Sequence, residues 1–232
     1  MQVLGFECTG YDDLSDEWHK SPANRKKILD FINGLGMTLD EAKDGDFSYE
    51  KETFDMFMTH DVMEHMHDSP KDILIAGLEA VKPEGYLYIT VPNAVNIKKR
   101  INVMRGITNH PPYDQYYWYP KPWRGHVREY SRQDLVSLTE YLDCDIVELR
   151  AIHHMMEKVP AGFVGLYKLV TTIFPDWRDT WQLVAKKRKN WNPKRALTPK
   201  ELQVLMGSTG SEVMNEMYGS LVEDENLSLI HI

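Results

Sequence analysis

The stretch Phe54–Asn93, FDMFMTHDVMEHMHDSPKDILIAGLEAVKPEGYLYITVPN, decides the fold. Phe54, Met56, Phe57 and Met58 form a short apolar run, the pattern of a strand covered on both faces. Asp68 or Ser69 then supplies an N-cap, Pro70 suits the first helical position, and Ser69 with Asp72 has the spacing of a capping box. Ile73, Leu74, Gly77, Leu78 and Val81 recur at the three/four spacing of a helix packed on a sheet. Lys82-Pro83-Glu84-Gly85 ends that helix, with Gly85 expected in the left-handed position, and Tyr86 to Val91 returns as strand. A return through a helix of this length makes the two strands parallel. Ligands of open parallel sheets bind at the carboxyl ends of the strands, so Thr59, His60, Asp61, Glu64 and His65 stand where a cofactor is expected.

Working outward, Gly5 to Asp12 alternates and ends on an acid, like a second strand whose terminal carboxylate accepts hydrogen bonds from ribose hydroxyls. Asp12 is that candidate. Met1 to Leu4 reads as the end of a preceding helix, Asn24 to Leu35 as a helix, and Met37 to Ala42 as a third strand. Ser131 and Asp134 have capping-box spacing at the start of a helix that runs to about Leu142. Asp145 to Ile152 alternates as a strand, and Thr180 to Lys187 closes the sheet.

The order FDMFM, HDVMEH, KPEG, YLYITVPN and then GHVREYS resembles the class I S-adenosylmethionine-dependent methyltransferases, over Gly5 to about Lys187. The resemblance implies an α/β, Rossmann-like sheet, mostly parallel with an antiparallel final strand. It also implies a first strand and a glycine-rich loop upstream of Met1, so an N-terminally truncated piece, inactive alone, is expected. S-adenosylmethionine is the implied cofactor. Asp12 would take the ribose, Asp46 or Asp44 the adenine amine, and Thr59, His60 and Asp61 the methionine side of the pocket.

Ubiquinone-pathway O-methyltransferases and small-RNA 2′-O-methyltransferases carry Glu-x-x-Glu-His with a later His as a metal site. The counterpart set here is Asp61, Glu64, His65 and His126, with the shorter Asp61 in the first place. In many relatives the Glu-His pair serves structure instead, bracing the helix and a loop. That metal-free reading is adopted, and a divalent metal on those four residues is kept as the alternative. His126 or His65 is then the candidate general base, because an imidazole titrates near neutrality.

The insertion 94–124 is expected to select the acceptor. Ile97, Ile101 and Met104 have helical spacing that would lay this segment on the core, with Lys98, Lys99 and Arg100 solvated. The aromatic run Tyr113 to Trp123 reads as a lid over a small-molecule or glycan-like methyl acceptor, with packing as a competing use. Ala161 to Trp177 is an apolar, helix-prone segment whose length favours packing, lid, dimer or membrane-surface contact being the other uses. Residues 1–187 form one methyltransferase domain on this reading. The basic stretch Lys186 to Arg195 is a solvated linker, and 188–226 is a helical extension whose helix starts at Thr198-Pro199. Leu227 to Ile232 matches the translation of CTG TCT CTT ATA CAC ATC, a short-read library adapter, and is given no role.

Composition sets the outer bounds. A chain of 232 residues with 42% hydrophobic and 27% charged residues can bury a sizeable α/β core. A net charge of -8 argues against broad nucleic-acid binding, and no apolar run reaches transmembrane length. Two cysteines, Cys8 and Cys144, read as buried thiols in a reducing, cytoplasmic setting. The rival functions are a non-catalytic methyltransferase-like binding module and a nicotinamide-dependent dehydrogenase.

Overall fold

A computed structural model describes residues 1–14, 17–42, 47, 49–198, 201 and 204. The chain forms two compact units, Met1–Thr53 and Phe54–Ile232.

In the first unit, strands β1 (Thr9–Asp12) and β2 (Thr38–Glu41) pair in parallel through helices α1 (Glu17–Lys20) and α2 (Pro22–Gly34). Gln2–Leu4 is a single 3-10 turn closed by Gly5 at φ 88°, where the sequence suggests the tail of a helix. Cys8 is only partly buried, so the expectation of two buried thiols holds for Cys144 alone. Asp44 and Asp46, the adenine candidates, lie outside the described residues. The same holds for the adapter-like end and for most of the helix expected after Thr198.

The second unit contains a four-stranded sheet in the order β3 (Phe54–His60), β4 (Val81–Pro92), β6 (Thr180–Lys187), β5 (Cys144–Ile152). β3 and β4 are parallel, and β6 runs antiparallel between β4 and β5. Three strands therefore share one direction and the last strand opposes them, as expected for the Rossmann-like methyltransferase sheet. Leu87, Ile89 and Val91 stand directly opposite Ala185, Leu183 and Trp181, and all six are buried. Helices α3 (Lys71–Ala80) and α6 (Arg132–Tyr141) add Leu74, Leu78 and Leu135 to the same core.

Local chemistry explains the boundaries. Ser131 and Asp134 form the expected capping box, each side chain bonded to the other's backbone N–H. At α3 the expected box is absent: Pro70 is the N-cap, and Ser69 Oγ accepts from Lys71 N at 3.3 Å. The left-handed position of the KPEG turn is taken by Glu84, at φ 61°, and not by Gly85. Gly85 is required for a different reason, since a Cβ there would stand 2.8 Å from the Asp55 carbonyl oxygen. Lys187 is buried, and its Nζ donates to the Leu78 and Val81 carbonyls at 2.7 and 2.6 Å, closing the end of α3. Its ammonium lies over Trp191, whose Nε1 donates to the Leu142 carbonyl at 2.6 Å. The segment read as a solvated linker is thus tied to the core through Lys187 and Trp191, and Lys194 N adds a bond to the Tyr141 carbonyl.

Three apolar expectations change. Met58 is 41% exposed, because β3 is an edge strand of this sheet and its outward side chains are not covered on both faces. In α4 (Ile97–Met104) Ile101 and Met104 are exposed, and Lys99 turns inward to pair with Glu129. In α7 (Val164–Ile173) Leu166, Leu169 and Ile173 stay exposed while Val164, Tyr167 and Val170 are half-buried and Thr171 is buried, so packing accounts for only one face of this segment. Among the described residues no helix is long and apolar enough to cross a membrane.

Gly77 sets the distance between α3 and β3, because a Cβ there would fall 2.4 Å from the Phe57 ring. Gly77→Ala is expected to cost about 1–3 kcal/mol through overpacking, read as a lower urea midpoint. An unchanged midpoint would mean that α3 can slide off Phe57.

Candidate functional site

The carboxyl ends of β3 and β4 bring several of the expected residues together. His60 is the last residue of β3, and Asp61 follows at φ 52°, a left-handed conformation that Asp tolerates better than most residues. Asp61 N still donates to the Thr90 carbonyl at 3.0 Å, so the ladder holds the turn in place. Thr59 points the other way, is buried, and its Oγ1 has no hydrogen-bond partner among the described residues. Asn93, the last residue of the VPN motif, is fully buried. Its Nδ2 donates to the Asp176 and Arg178 carbonyls, both at 2.8 Å, and its Oδ1 accepts from Val95 N at 2.9 Å. That side chain fixes the loop leaving β4 against the loop entering β6.

Glu64, His65 and His126 form a second constellation, with one ligand atom from each inside a 4.8 Å group. Glu64 sits in a 3-10 turn, Met63–His65, and its carbonyl accepts from Val127 N at 2.6 Å, which holds the Gly125–Tyr130 segment beside it. Its carboxylate is 1% exposed, and Oε2 has no hydrogen-bond partner among the described residues. Burial pushes its pKa up, against the pull of its backbone hydrogen bond and of His65.

Hydrogen bonds define the two imidazoles. His65 Nδ1 lies 3.0 Å from the Arg124 carbonyl oxygen, which can only accept, so Nδ1 carries the proton. The Nε2 lone pair then faces Glu64 Oε1 at 4.0 Å. His126 Nδ1 lies 2.8 Å from Glu129 Oε1, so its proton is also on Nδ1. Glu129 is held in turn by Lys99. Burial and the neighbouring Lys98 push the Lys99 ammonium down to about 8, and it stays charged at neutral pH. Burial lowers the pKa of His126, and His65 and Lys99 lower it further, so the imidazole is neutral at pH 7 with a free Nε2.

Asp61 stands apart from this group. Its Oδ2 lies 3.8 Å from His60 Nε2 and 3.7 Å from His154 Nε2, so the expected four-residue set divides into two trios. The three donors at Glu64, His65 and His126 fit a divalent cation, because each offers a lone pair and one carboxylate oxygen is buried without a partner. Glu129 and Thr90 were missed by the sequence reading, although Glu129 lies three residues after His126. His154 was missed as well, and its only signal was its place just beyond a strand's carboxyl end.

The aromatic segment includes α5 (Tyr113–Tyr117) and is anchored at its far end. His67 Nε2 donates to the Trp123 carbonyl at 2.7 Å, and Trp123 packs edge-on to Tyr116 and Tyr119 with ring centroids 5.2 and 4.9 Å apart. Tyr113, Tyr117 and Trp118 remain exposed, so packing uses only part of the aromatic surface. In the first unit, Asp12 ends β1, and its Oδ1 accepts from Leu14 N at 2.7 Å.

A family model described as a methyltransferase domain matches residues 1–149. The chain belongs to that family. It is a methyltransferase with S-adenosylmethionine as cofactor, and the dehydrogenase alternative is set aside. Solved structures similar to it include an S-adenosylmethionine-dependent methyltransferase from Methanosarcina mazei, with 14% identity, a TM-score of 0.49, and coverage of 81% of this chain and 84% of that one. Another, from Archaeoglobus fulgidus, has 14% identity and a TM-score of 0.43 over 79% and 87% of the two chains. A third, from Mesorhizobium loti, has 11% identity and a TM-score of 0.45 over 78% and 80%. No curated protein matches the chain.

Glu64 yields a stability prediction. A carboxyl whose pKa is raised in the folded state loses stabilising effect as pH climbs from the ordinary carboxylate range through the folded value. In excess chelator, Glu64→Gln should therefore raise the thermal midpoint at pH 7 to 8, and the gain should vanish on acidification below the unfolded-state carboxyl pKa. A lower midpoint for Glu64→Gln at pH 8 would show that the charge is compensated.

Proposed function

We propose that this methyltransferase moves the methyl group to an oxygen, or less readily a nitrogen, of a small-molecule or glycan-like acceptor, with His126 as the general base. The observation that carries this reading is the Lys99–Glu129–His126 chain, which leaves a neutral imidazole with its Nε2 lone pair free. When bound, S-adenosylmethionine supplies an activated methyl group on a sulfonium, so the protein's task is positioning and the removal of one proton. Glu129 accepts a hydrogen bond from Nδ1–H and stabilises the imidazolium that forms when Nε2 takes the acceptor's proton. Lys99 balances the Glu129 charge. His65 serves as a second, weaker candidate, because its Nε2 faces a carboxylate.

His60 and Asp61, backed by the buried Thr59, are assigned to the methionine end of the cofactor. Asp12 is assigned to a ribose hydroxyl, with Oδ2 as acceptor while Oδ1 serves the turn at Leu14. The exposed rings of Tyr113, Tyr117 and Trp118 supply flat apolar surface suited to a sugar or aromatic acceptor.

A metal-assisted variant of the same reaction is favoured by one observation, the buried Glu64 Oε2 that has no hydrogen-bond partner among the described residues. On that reading Glu64, His65 and His126 would hold the cation, which would lower the pKa of an acceptor hydroxyl. Activity that survives excess chelator selects the metal-free base mechanism, and activity abolished by chelator and restored by metal selects the cation.

His126→Ala is expected to lower kcat by about 100-fold or more, with a smaller effect on KM. Because the pKa of His126 is lowered, the wild-type rate should rise with pH through a midpoint below the ordinary imidazole value of about 6.5 and then stay level. A His126→Ala enzyme within twofold of wild type would remove the base. Asp12→Ala should weaken S-adenosylmethionine binding by about tenfold, as expected for one hydrogen bond of roughly 1.4 kcal/mol, read by calorimetry. Unchanged affinity would remove Asp12 as a cofactor contact.

A further inference from the structure

A second trio lies at the carboxyl edge of the sheet, built from the ends of β3 and β5. It consists of His60, Asp61 and His154, whose ligand atoms all fall within 4.8 Å of one another. Asp61 Oδ2 is 3.8 Å from His60 Nε2 and 3.7 Å from His154 Nε2, and the two rings have centroids 5.7 Å apart.

One hydroxyl proton determines how His60 is protonated. Thr90 Oγ1 touches both His60 Nδ1 and Asp61 Oδ1, the latter at 3.2 Å. An ionised carboxylate can only accept, so the Thr90 proton goes to Asp61. Toward His60 the hydroxyl must then accept, which places the imidazole proton on Nδ1. The Nε2 lone pair is thereby left facing the other Asp61 oxygen, a repulsive pairing unless a proton or a cation lies between them. Thr90 is itself buried in β4, so this arrangement is held by the sheet and not by a mobile loop. The opposite side is fixed as well: His154 N donates to Asp179 Oδ1 at 2.8 Å, and Met155 N to the same oxygen at 3.3 Å.

We propose that His60, Asp61 and His154 form a binding site for a divalent transition-metal cation, separate from Glu64, His65 and His126. Two imidazole nitrogens and one carboxylate oxygen are the donor set that zinc, cobalt, nickel and ferrous ions share, while magnesium and calcium prefer all-oxygen ligands. Ligand atoms 3.7 to 3.8 Å apart need only small side-chain shifts to reach about 2.0–2.2 Å from a common centre. Three protein ligands leave coordination positions open to water or to an oxygen ligand. Thr90 is the outer partner that orients both His60 and Asp61. The inference rests on these contacts alone: it does not depend on the assignment of His126 as a base, and it gives His60 and Asp61 a metal-binding role in place of the cofactor contact assigned to them above.

The full chain, stripped with chelator and labelled with ¹⁵N, is titrated with zinc and followed by imidazole ¹H–¹⁵N correlation. Before zinc, His60 should show the Nδ1–H tautomer; on addition, the Nε2 resonances of His60 and His154 should move to the metal-bound range. Calorimetry on a His65→Gln/His126→Gln background isolates the site, which should still bind zinc. Adding His154→Gln to that background should cost more than the about 10–100-fold expected for removing an outer partner, the loss expected of Thr90→Val. Zinc that leaves the His60 and His154 rings unmoved in the wild-type chain overturns the proposal without requiring any variant to fold. Equal affinity with and without His154→Gln overturns it as well.

Discussion

The direction of β4 is the constraint on which the second unit depends. Its parallel pairing with β3 and antiparallel pairing with β6 align the carboxyl ends of β3, β4 and β5. His60, Asp61, Thr90 and His154 reach one another only because those three ends meet. A one-residue slip of β4 would move Leu87, Ile89 and Val91 from the core to the opposite face and take Thr90 away from His60 and Asp61. The buried cross-strand pairs Leu87 with Ala185, Ile89 with Leu183 and Val91 with Trp181 make that slip costly. The apolar core and the polar edge are two faces of one register.

At the polar edge, hydrogen bonds to fixed acceptors decide which imidazole nitrogen is bare. A carbonyl does this for His65, a carboxylate for His126, and a threonine whose only proton is already committed does it for His60. In each case the proton is on Nδ1. The Nε2 atoms of His65 and His60 then face carboxylates at 4.0 and 3.8 Å. Glu64 is deeply buried and Asp61 only partly so, which is why the two trios differ in the cost of carrying a negative charge. The same chemistry can therefore act as a base, a metal ligand or a protonation site, depending on what fills the space between the groups.

Much of this architecture was legible in the sequence, because hydrophobic period and capping chemistry are local signals. The strand, helix and strand of Phe54 to Asn93, the capping box at Ser131 and the final strand Thr180 to Lys187 all appear, although β4 begins at Val81, within the stretch read as helix end and turn. What failed was whatever depends on partners distant in the chain. The apolar spacing of Ile97, Ile101 and Met104 predicted the inward face of α4, but the ion pair of Lys99 with Glu129 rotates that helix the other way. The split of Asp61 from Glu64 follows from His154, 93 positions later, and no local spacing could announce it. Glu84 in the left-handed position shows the reverse case: the glycine beside it is consumed by the close approach of the Asp55 carbonyl, so the turn strain falls on its neighbour.

The link between this chemistry and the aromatic segment runs through backbone carbonyls. His65 and His67 each donate a ring N–H to consecutive carbonyls, those of Arg124 and Trp123, at the end of the segment. Trp123 in turn packs on Gly125, where a Cβ would meet the indole at 2.1 Å, so the ring and the backbone before His126 are locked together. A positive charge gained at His65 Nε2, from a proton or a cation, makes its Nδ1–H a stronger donor and tightens the bond to Arg124. Loss of that charge loosens it. The segment that presents Tyr113, Tyr117 and Trp118 is thus anchored at its end by two imidazoles, one of which faces Glu64.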